Sequence, residues 1–336
     1  MKSFLDSLIS TRTATAAAAL VGTADEILFE SASGEAEPET RFDYASLTKP
    51  FAFTLALVLD QDGTLPLATR IGEVFPEANL RLASRPLSDL LRHRSGLAPW
   101  APLYHLCRSR EEVLPFLLDE SRIRPTRRAV YGDLDVLLYG LAVEKAIAQP
   151  YSQLIRSRIL DPLHLSAEPA PGDQPGVARS FMDTDQEVKL AAKQGLTIPL
   201  QGPPPRGLPQ DGNARWLGAD PPAHAGLFGN ARDLWRLGAE WLAPRALLKQ
   251  EATAAALTGS PFYLGWWRRS RRGSAGPAFS PGSFGHTGFA GGSLWIDPEQ
   301  QRVLVLLTHR TEPFSNMNLW RRRFHALAYD SLTEAL

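Results

Sequence analysis

Cysteine is almost missing from this chain. A single one, Cys107, stands among 336 residues, which excludes an intrachain disulfide and a cysteine-rich zinc site. A small core residue is the expectation for it. Excess charge is missing too: Lys+Arg and Asp+Glu number 36 each, so there is no general electrostatic pull towards nucleic acid or an anionic membrane. Lysine is scarce, arginine carrying most of the positive charge. No stretch approaches the ~20 unbroken apolar residues of a membrane-spanning helix. Internal repeats and low-complexity tails are absent. A signal peptide needs an unbroken apolar centre, and Asp6, Ser7, Ser10, Thr11 and Arg12 interrupt the stretch Met1–Val21. We read there a short amphipathic helix with Phe4, Leu5, Leu8 and Ile9 on one face, followed by a strand, and expect a cytoplasmic protein.

What is present is an ordinary globular composition, 44% apolar and 21% charged, on a length that suggests about two lobes. Thr15–Gly22 and Glu26–Ser33 read as strands around the turn Gly22–Asp25. A helix follows from Leu47 to Gln61, with Pro50 in its first turn, where a missing N–H costs little. Leu65–Phe75 is turn-rich, while Leu87–Arg92 and Glu111–Glu120 read as helices. Leu134, Leu137, Leu138, Leu141 and Ala142 recur at helical spacing and predict a helix over Asp133–Ala148, continued by Tyr151–Ile159. Ala167–Pro222, rich in Pro, Gly, Asp and Gln, reads as a long irregular excursion. Asn230 caps a helix to Trp241. Phe262–Trp267, Gly291–Ile296 and Arg302–Thr308 have strand character, Arg268–Gly276 reads as a solvated basic turn, and Asn316–Leu332 as a closing helix. The expected architecture is α+β: an antiparallel sheet flanked by terminal helices, built from about 1–64 and 258–336, with a mainly helical lobe, about 65–257, inserted between. The active site would lie between the lobes, all within one domain spanning 1–336.

Ser46 and Lys49, in F-D-Y-A-S-L-T-K-P, fall where a polar loop becomes an apolar helix. Residues three apart on a helix share a face about 5–6 Å apart. The helix start offers partial positive charge and N–H groups to an oxyanion. A lysine desolvated there loses proton affinity and can take the serine's proton. Such a string arises about once by chance in a chain of this size, so it needs partners.

Three stretches could supply them. In V-Y-G-D-L, Tyr131 precedes a helix and Asp133 stands at or near its N-cap; packing and capping are the plain alternative roles. In F-G-H-T-G-F-A-G-G-S-L-W, His286 and Thr287 lead into Gly288, Gly291 and Gly292, where a backbone or ligand can approach closely; a tight hairpin is the alternative. In H-A-G-L-F-G-N-A-R-D-L, His224 could line a pocket or be a buried, orienting histidine.

Together with L-L-R-H-R-S-G-L at Leu90–Leu97, these stretches run in an order that resembles the β-lactamase-like serine hydrolases. That group includes class C β-lactamases, D-alanyl-D-alanine carboxypeptidases and related esterases. The resemblance implies the β-lactamase/transpeptidase-like fold, Ser46 as acylated nucleophile, Lys49 as its proton acceptor, and Tyr131 as the group that protonates the leaving group and helps activate the deacylating water. It implies an oxyanion hole from the backbone N–H groups of Ser46 and Phe289, substrate contacts from Asp133, His286, Thr287 and Gly288, and no metal or organic cofactor. Two positions depart from the pattern. Asp133 stands where Asn is usual; it accepts hydrogen bonds but does not donate when ionised, and it favours a charged Lys49. His286 stands where penicillin-recognising members have lysine, and with an unperturbed pKa of ~6.5 it offers a substrate carboxylate little charge at neutral pH. We therefore expect a serine hydrolase of small esters or amides. A β-lactamase comes second and a D-amino-acid peptidase or amidase third, with a non-catalytic ligand- or wall-peptide-binding member as the alternative of another class.

Overall fold

The computed structural model describes residues 1–123, 128–180, 185–218, 220, 223–311 and 317–333, the last three of these for the backbone alone. Among the described residues the strands are β1 (Ala14–Gly22), β2 (Ile27–Gly34), β3 (Phe42–Asp43), β4 (Glu168–Pro169), β5 (Leu227–Gly229), β6 (Trp267–Arg268), β7 (Phe284–Thr287), β8 (Ser293–Asp297) and β9 (Arg302–Arg310). Six of them make one antiparallel sheet in the order β2-β1-β9-β8-β7-β6. The first strands of the chain and the last therefore share a sheet, as expected, and β1 lies at its heart between β2 and β9.

β1 is alanine-rich because it is covered on both faces. Its side chains alternate: Ala16, Ala18 and Leu20 join one core, and Ala17, Ala19 and Val21 the other. β9 divides in the same way, Val303, Val305 and Leu307 against Leu304 and Leu306. One face is closed by Phe4, Leu5 and Leu8 of the Lys2–Ser10 helix with Phe324 and Ala328 of the Met317–Thr333 helix. The other face receives the Ala231–Leu242 helix through Leu234, Leu237 and Trp241, and beyond it the Lys49–Gln61 helix. That second helix buries nearly every side chain from Lys49 to Leu59. An all-round apolar helix of this kind runs through a core rather than over it, and it joins the sheet to the helical middle of the chain, where Asp133–Ile147 packs on Leu87–Leu91.

Three expectations change on inspection. The helix expected from Leu47 begins as a 3₁₀ turn over Ala45–Thr48 and becomes α-helical only at Lys49. Within Ala167–Pro222 the described residues include helices at Asp185–Ala192 and Gly212–Leu217, and β4 pairs with β5 in a small second sheet, β3-β5-β4. Phe262–Trp267 is not a strand: Tyr263 N–H bonds the Trp266 carbonyl at 2.9 Å and Gly265 sits at φ 84°, so the chain turns back and only Trp267–Arg268 pairs with β7. The turn delivers Trp266 into an aromatic cluster with Phe53, Trp241 and Phe284. The start expected for the closing helix, Asn316, lies outside the described residues. Among the described residues no helix is long and apolar enough to cross a membrane.

Trp241 is the keystone of that cluster. It is 2% exposed, and its indole N–H bonds Thr54 Oγ1 at 2.8 Å. Trp241→Ala should cost about 3–5 kcal/mol, read from the urea unfolding midpoint. A loss under about 1 kcal/mol would be surface-like and would mean the cluster does not carry the core.

Candidate active site

β3 ends at Asp43, and the backbone then turns sharply. Ala45 takes φ 47°, a left-handed conformation unfavourable for a side-chain-bearing residue. Asp43 holds the turn, its buried carboxylate accepting from the N–H groups of Ala45 and Gln210, each at 2.8 Å. Burial pushes its pKa up to about 6, opposed by those two bonds. The turn sets Ser46 at the start of the helix with Lys49 three residues on.

Lys49 is wholly buried, and its Nζ donates to Ser46 Oγ at 2.8 Å, Asp133 Oδ1 at 2.6 Å and the His224 carbonyl at 2.9 Å. An ammonium carries three protons, and three acceptors receive them. The helix start alone suggested a lysine stripped of proton affinity, whereas Asp133 was expected to favour its charged form; the second effect prevails. Burial does pull the Lys49 pKa down, but the Asp133 carboxylate and Tyr131 prevail, and it stands above the ordinary lysine value. Asp133 is the first residue of its helix, not the cap, and its N–H is taken by the Pro99 carbonyl at 2.7 Å.

The Tyr131 hydroxyl lies against Ser46 and Lys49, with Nζ 5.3 Å from the ring centroid. Burial raises its pKa and the Lys49 charge offsets part of that rise, so the resting group is a neutral phenol. Rings of His93, Trp267 and His286 frame it at 4.8, 5.2 and 5.7 Å. The stretch L-L-R-H-R-S-G-L acts here: the His93 carbonyl accepts from Val130 N–H at 2.9 Å and its Nδ1 from Gly132 N–H at 3.3 Å, gripping the chain on both sides of Tyr131.

β7 brings the glycine-rich stretch alongside. Strand alternation turns Thr287 towards the cleft and His286 inwards. His286 is fully buried, its Nδ1–H donating to the Thr287 carbonyl at 2.9 Å. Burial, then the charge on Lys49, drives its pKa well below the usual histidine value. It is therefore a neutral packing group and does not reach a substrate carboxylate, contrary to the role the resemblance implied. His224 is likewise buried, bonded through Nε2 to Asp211 at 3.1 Å, and contributes its carbonyl rather than its ring.

A cleft of about 350 Å³ opens over Ser46, bordered by Tyr131, Thr287, Gly288, Phe289, Arg310 and Arg321. A recess of about 160 Å³ on the other side of Ser46 is bordered by Trp100, Asp133, Glu187 and Asp211. Gly288 must be glycine, because a Cβ there would stand 2.6 Å from the Tyr44 carbonyl; the close approach seats the turn beside the loop that carries Ser46. The sequence reading missed the two arginines. Arg321 is 7% exposed and burial, then Arg310, lowers its pKa to about 9, still charged at neutral pH. Among the described residues no cluster of His, Cys, Asp and Glu is placed to hold a metal ion.

A serine bonded to a buried lysine, with a tyrosine against both, sits on a sheet-and-helix scaffold of the β-lactamase/transpeptidase-like fold. A penicillin-binding protein homologue from Caulobacter crescentus superimposes with TM-score 0.78 at 18% identity, covering 98% of this chain and 96% of that one. The chain belongs to the beta-lactamase family, whose model matches residues 5–328, and it is a serine hydrolase of that family. Its relatives include the N-acetylmuramyl-L-alanine amidase of Bacillus subtilis, 26% identical over 88% of this chain and 75% of the amidase. The esterase EstB of Burkholderia gladioli is 30% identical over 69% of this chain and 66% of its own.

If Asp133 is what holds the proton on Lys49, neutralising it lowers the lysine pKa. Asp133→Asn should then move the basic rise of the kcat/KM–pH profile to lower pH by about one unit or more. An unmoved profile would leave Asp133 as a helix-start residue without influence on the base.

Proposed function

We propose that Ser46 is the acylated nucleophile of a hydrolase of small esters or amides, and that Lys49 and Tyr131 manage its protons. The contact that carries this reading is the 2.8 Å bond between Lys49 Nζ and Ser46 Oγ. At rest the lysine is the donor. When it has released one proton to solvent it keeps two for Asp133 and the His224 carbonyl, and its lone pair faces the serine hydroxyl. The same bond then runs in reverse: Ser46 Oγ attacks the substrate carbonyl as its proton passes to Nζ. The oxyanion that forms is met by the N–H groups of Ser46 and Phe289, the term that usually dominates acyl transfer. Collapse expels the leaving group, which takes the Tyr131 phenol proton, and the phenolate is reprotonated from Lys49. Water then attacks the acyl carbonyl with the same groups as base, releasing the acid and restoring Ser46. The neutral resting state of Tyr131 suits it to protonate an alkoxide or amine.

The relatives carry names of both an amidase and an esterase, which supports ester and amide substrates without choosing between them. A second reading, a β-lactam or a peptide ending in a carboxylate, is supported by Arg310 and Arg321 on the cleft wall. They supply the positive charge that buried His286 does not.

Intact-protein mass spectrometry after exposure to a penicillin and, separately, to a neutral activated ester tests both. Wild type should gain the acyl mass with the ester, transiently or stably, and Ser46→Ala should gain none. Labelling by the penicillin alone would favour the second reading. An adduct that survives in Ser46→Ala would remove Ser46 from the mechanism.

A further inference from the structure

Between β7 and β8 the chain makes a tight turn, Gly288-Phe289-Ala290-Gly291, closed by Gly291 N–H on the Gly288 carbonyl at 3.0 Å. All four carbonyls of this turn accept from side chains of β9 or the C-terminal helix. Arg321 Nη2 donates to Gly288 O at 2.9 Å and Arg321 Nε to Gly291 O at 3.1 Å; Arg310 Nε donates to Phe289 O at 2.8 Å and Thr308 Oγ1 to Ala290 O at 3.0 Å. The remaining contact of the guanidinium is Nη1 to Asn318 Oδ1 at 2.8 Å. Among the described residues no carboxylate lies within ion-pair distance of Arg321. A buried cation without a counter-ion is costly, and its bonds go to backbone oxygens of one turn.

The Gly288 carbonyl and the Phe289 N–H belong to the same peptide group. In a trans peptide the two point in opposite directions, so a donor that fixes the C=O also fixes the direction of the N–H. A charged donor on the oxygen makes a strong bond, and bonds in series polarise one another, by about 10–30% each. The N–H on the far side becomes a better donor at no cost in reorganisation when charge develops in front of it.

We infer that Arg321 is a positioning residue for catalysis: through the Gly288 carbonyl it aims and polarises the Phe289 N–H that stabilises the oxyanion. This rests on the acyl-Ser46 reading and on Phe289 N–H as a donor to the oxyanion. It gives a C-terminal helix residue a part in the chemical step, distinct from any contact between its charge and an anionic substrate.

The test uses a neutral activated ester, so that substrate charge plays no role, and an alkyl boronic acid, which adds to the serine hydroxyl to give a tetrahedral boronate with an oxygen in the oxyanion position. Losing a whole oxyanion donor costs ~10²–10³ in rate, so loss of the residue that orients one should cost about tenfold to a hundredfold. Arg321→Met should lower kcat by that factor with KM within about twofold, and weaken boronate affinity in parallel. Arg321→Lys, which keeps the charge and a donor, should recover part of both; it also serves if Arg321→Met does not fold, with circular dichroism and the melting temperature as controls. Wild-type boronate affinity in a folded Arg321→Met would overturn the inference, as would a loss of stability with kcat unchanged. A wild-type protein that takes up no boronate, or turnover surviving in Ser46→Ala, would instead overturn the acyl-serine reading beneath it.

Discussion

A buried ammonium governs this site. Lys49 has no exposed surface, and an ion so placed costs several kcal/mol unless its protons find acceptors of good geometry. Three elements from distant parts of the chain supply them: the 3₁₀ turn bearing Ser46, the first residue of the Asp133 helix, and the loop leading to β5 at His224. Each must arrive in register for the charge to be tolerated. The ion pair therefore acts as an assembly constraint as much as a catalytic one. Removing the partner alone would leave the charge uncompensated, which is why the Asn variant, which keeps an oxygen acceptor, is the informative change and a truncation is not.

Burial and the same charge also set the state of His286. His286 lies inward, 6.0 Å from Phe53 and 5.7 Å from Tyr131 between ring centroids, close enough to Lys49 that the charge depresses its basicity. The neutral imidazole packs there, and the positive charge of the cleft lies on Arg310 and Arg321, on the far side of the glycine turn. Separating the cations in this way keeps Lys49 under the control of Asp133.

The pairing of Ser46 with Lys49 was legible because three-residue spacing at a helix start is local, whereas Tyr131 and Asp133 were pointed to by the resemblance of V-Y-G-D-L; the structure brings all four together. The sheet was legible from its short, nearly continuous apolar runs at both ends of the chain. Other features depended on information that periodicity does not hold. Alternation says that His286 and Thr287 face opposite ways, but which way is inward depends on the helices covering the sheet. β3, β4 and β5 have two or three residues each, too few for any period, and they exist because the backbone beyond them needs partners. Arg321 stands in the run R-R-R of an amphipathic helix, where one arginine looks like the next. Only the turn docking beneath it distinguishes it from its neighbours. The helix at Asp185–Ala192 escaped notice inside a Pro- and Gly-rich stretch whose overall composition outweighed one short segment.

The placement of Arg310 shows how far the site depends on the ends of the chain. It is the last residue of β9, and its partner in the ladder is Ala14, the first residue of β1. Shifting that pairing by one residue would exchange the two faces of the strand, turning Arg310 away from the Phe289 carbonyl. The register cannot slip freely, because Ala16, Ala18 and Leu20 would leave one core for the other, where Ala17, Ala19 and Val21 already fit against the terminal helices. Small residues on both faces of β1 let the helices approach closely, so either core loses contacts in the slipped arrangement. Packing of the two terminal segments thus fixes a side chain that bonds the turn facing the nucleophile, across more than 260 residues of sequence between Ser46 and Arg310. Contacts so distant in sequence carry a loop-closure cost that the rest of the fold must offset, and the Gly288–Gly291 turn is accordingly held by the complete fold rather than by its own loop alone.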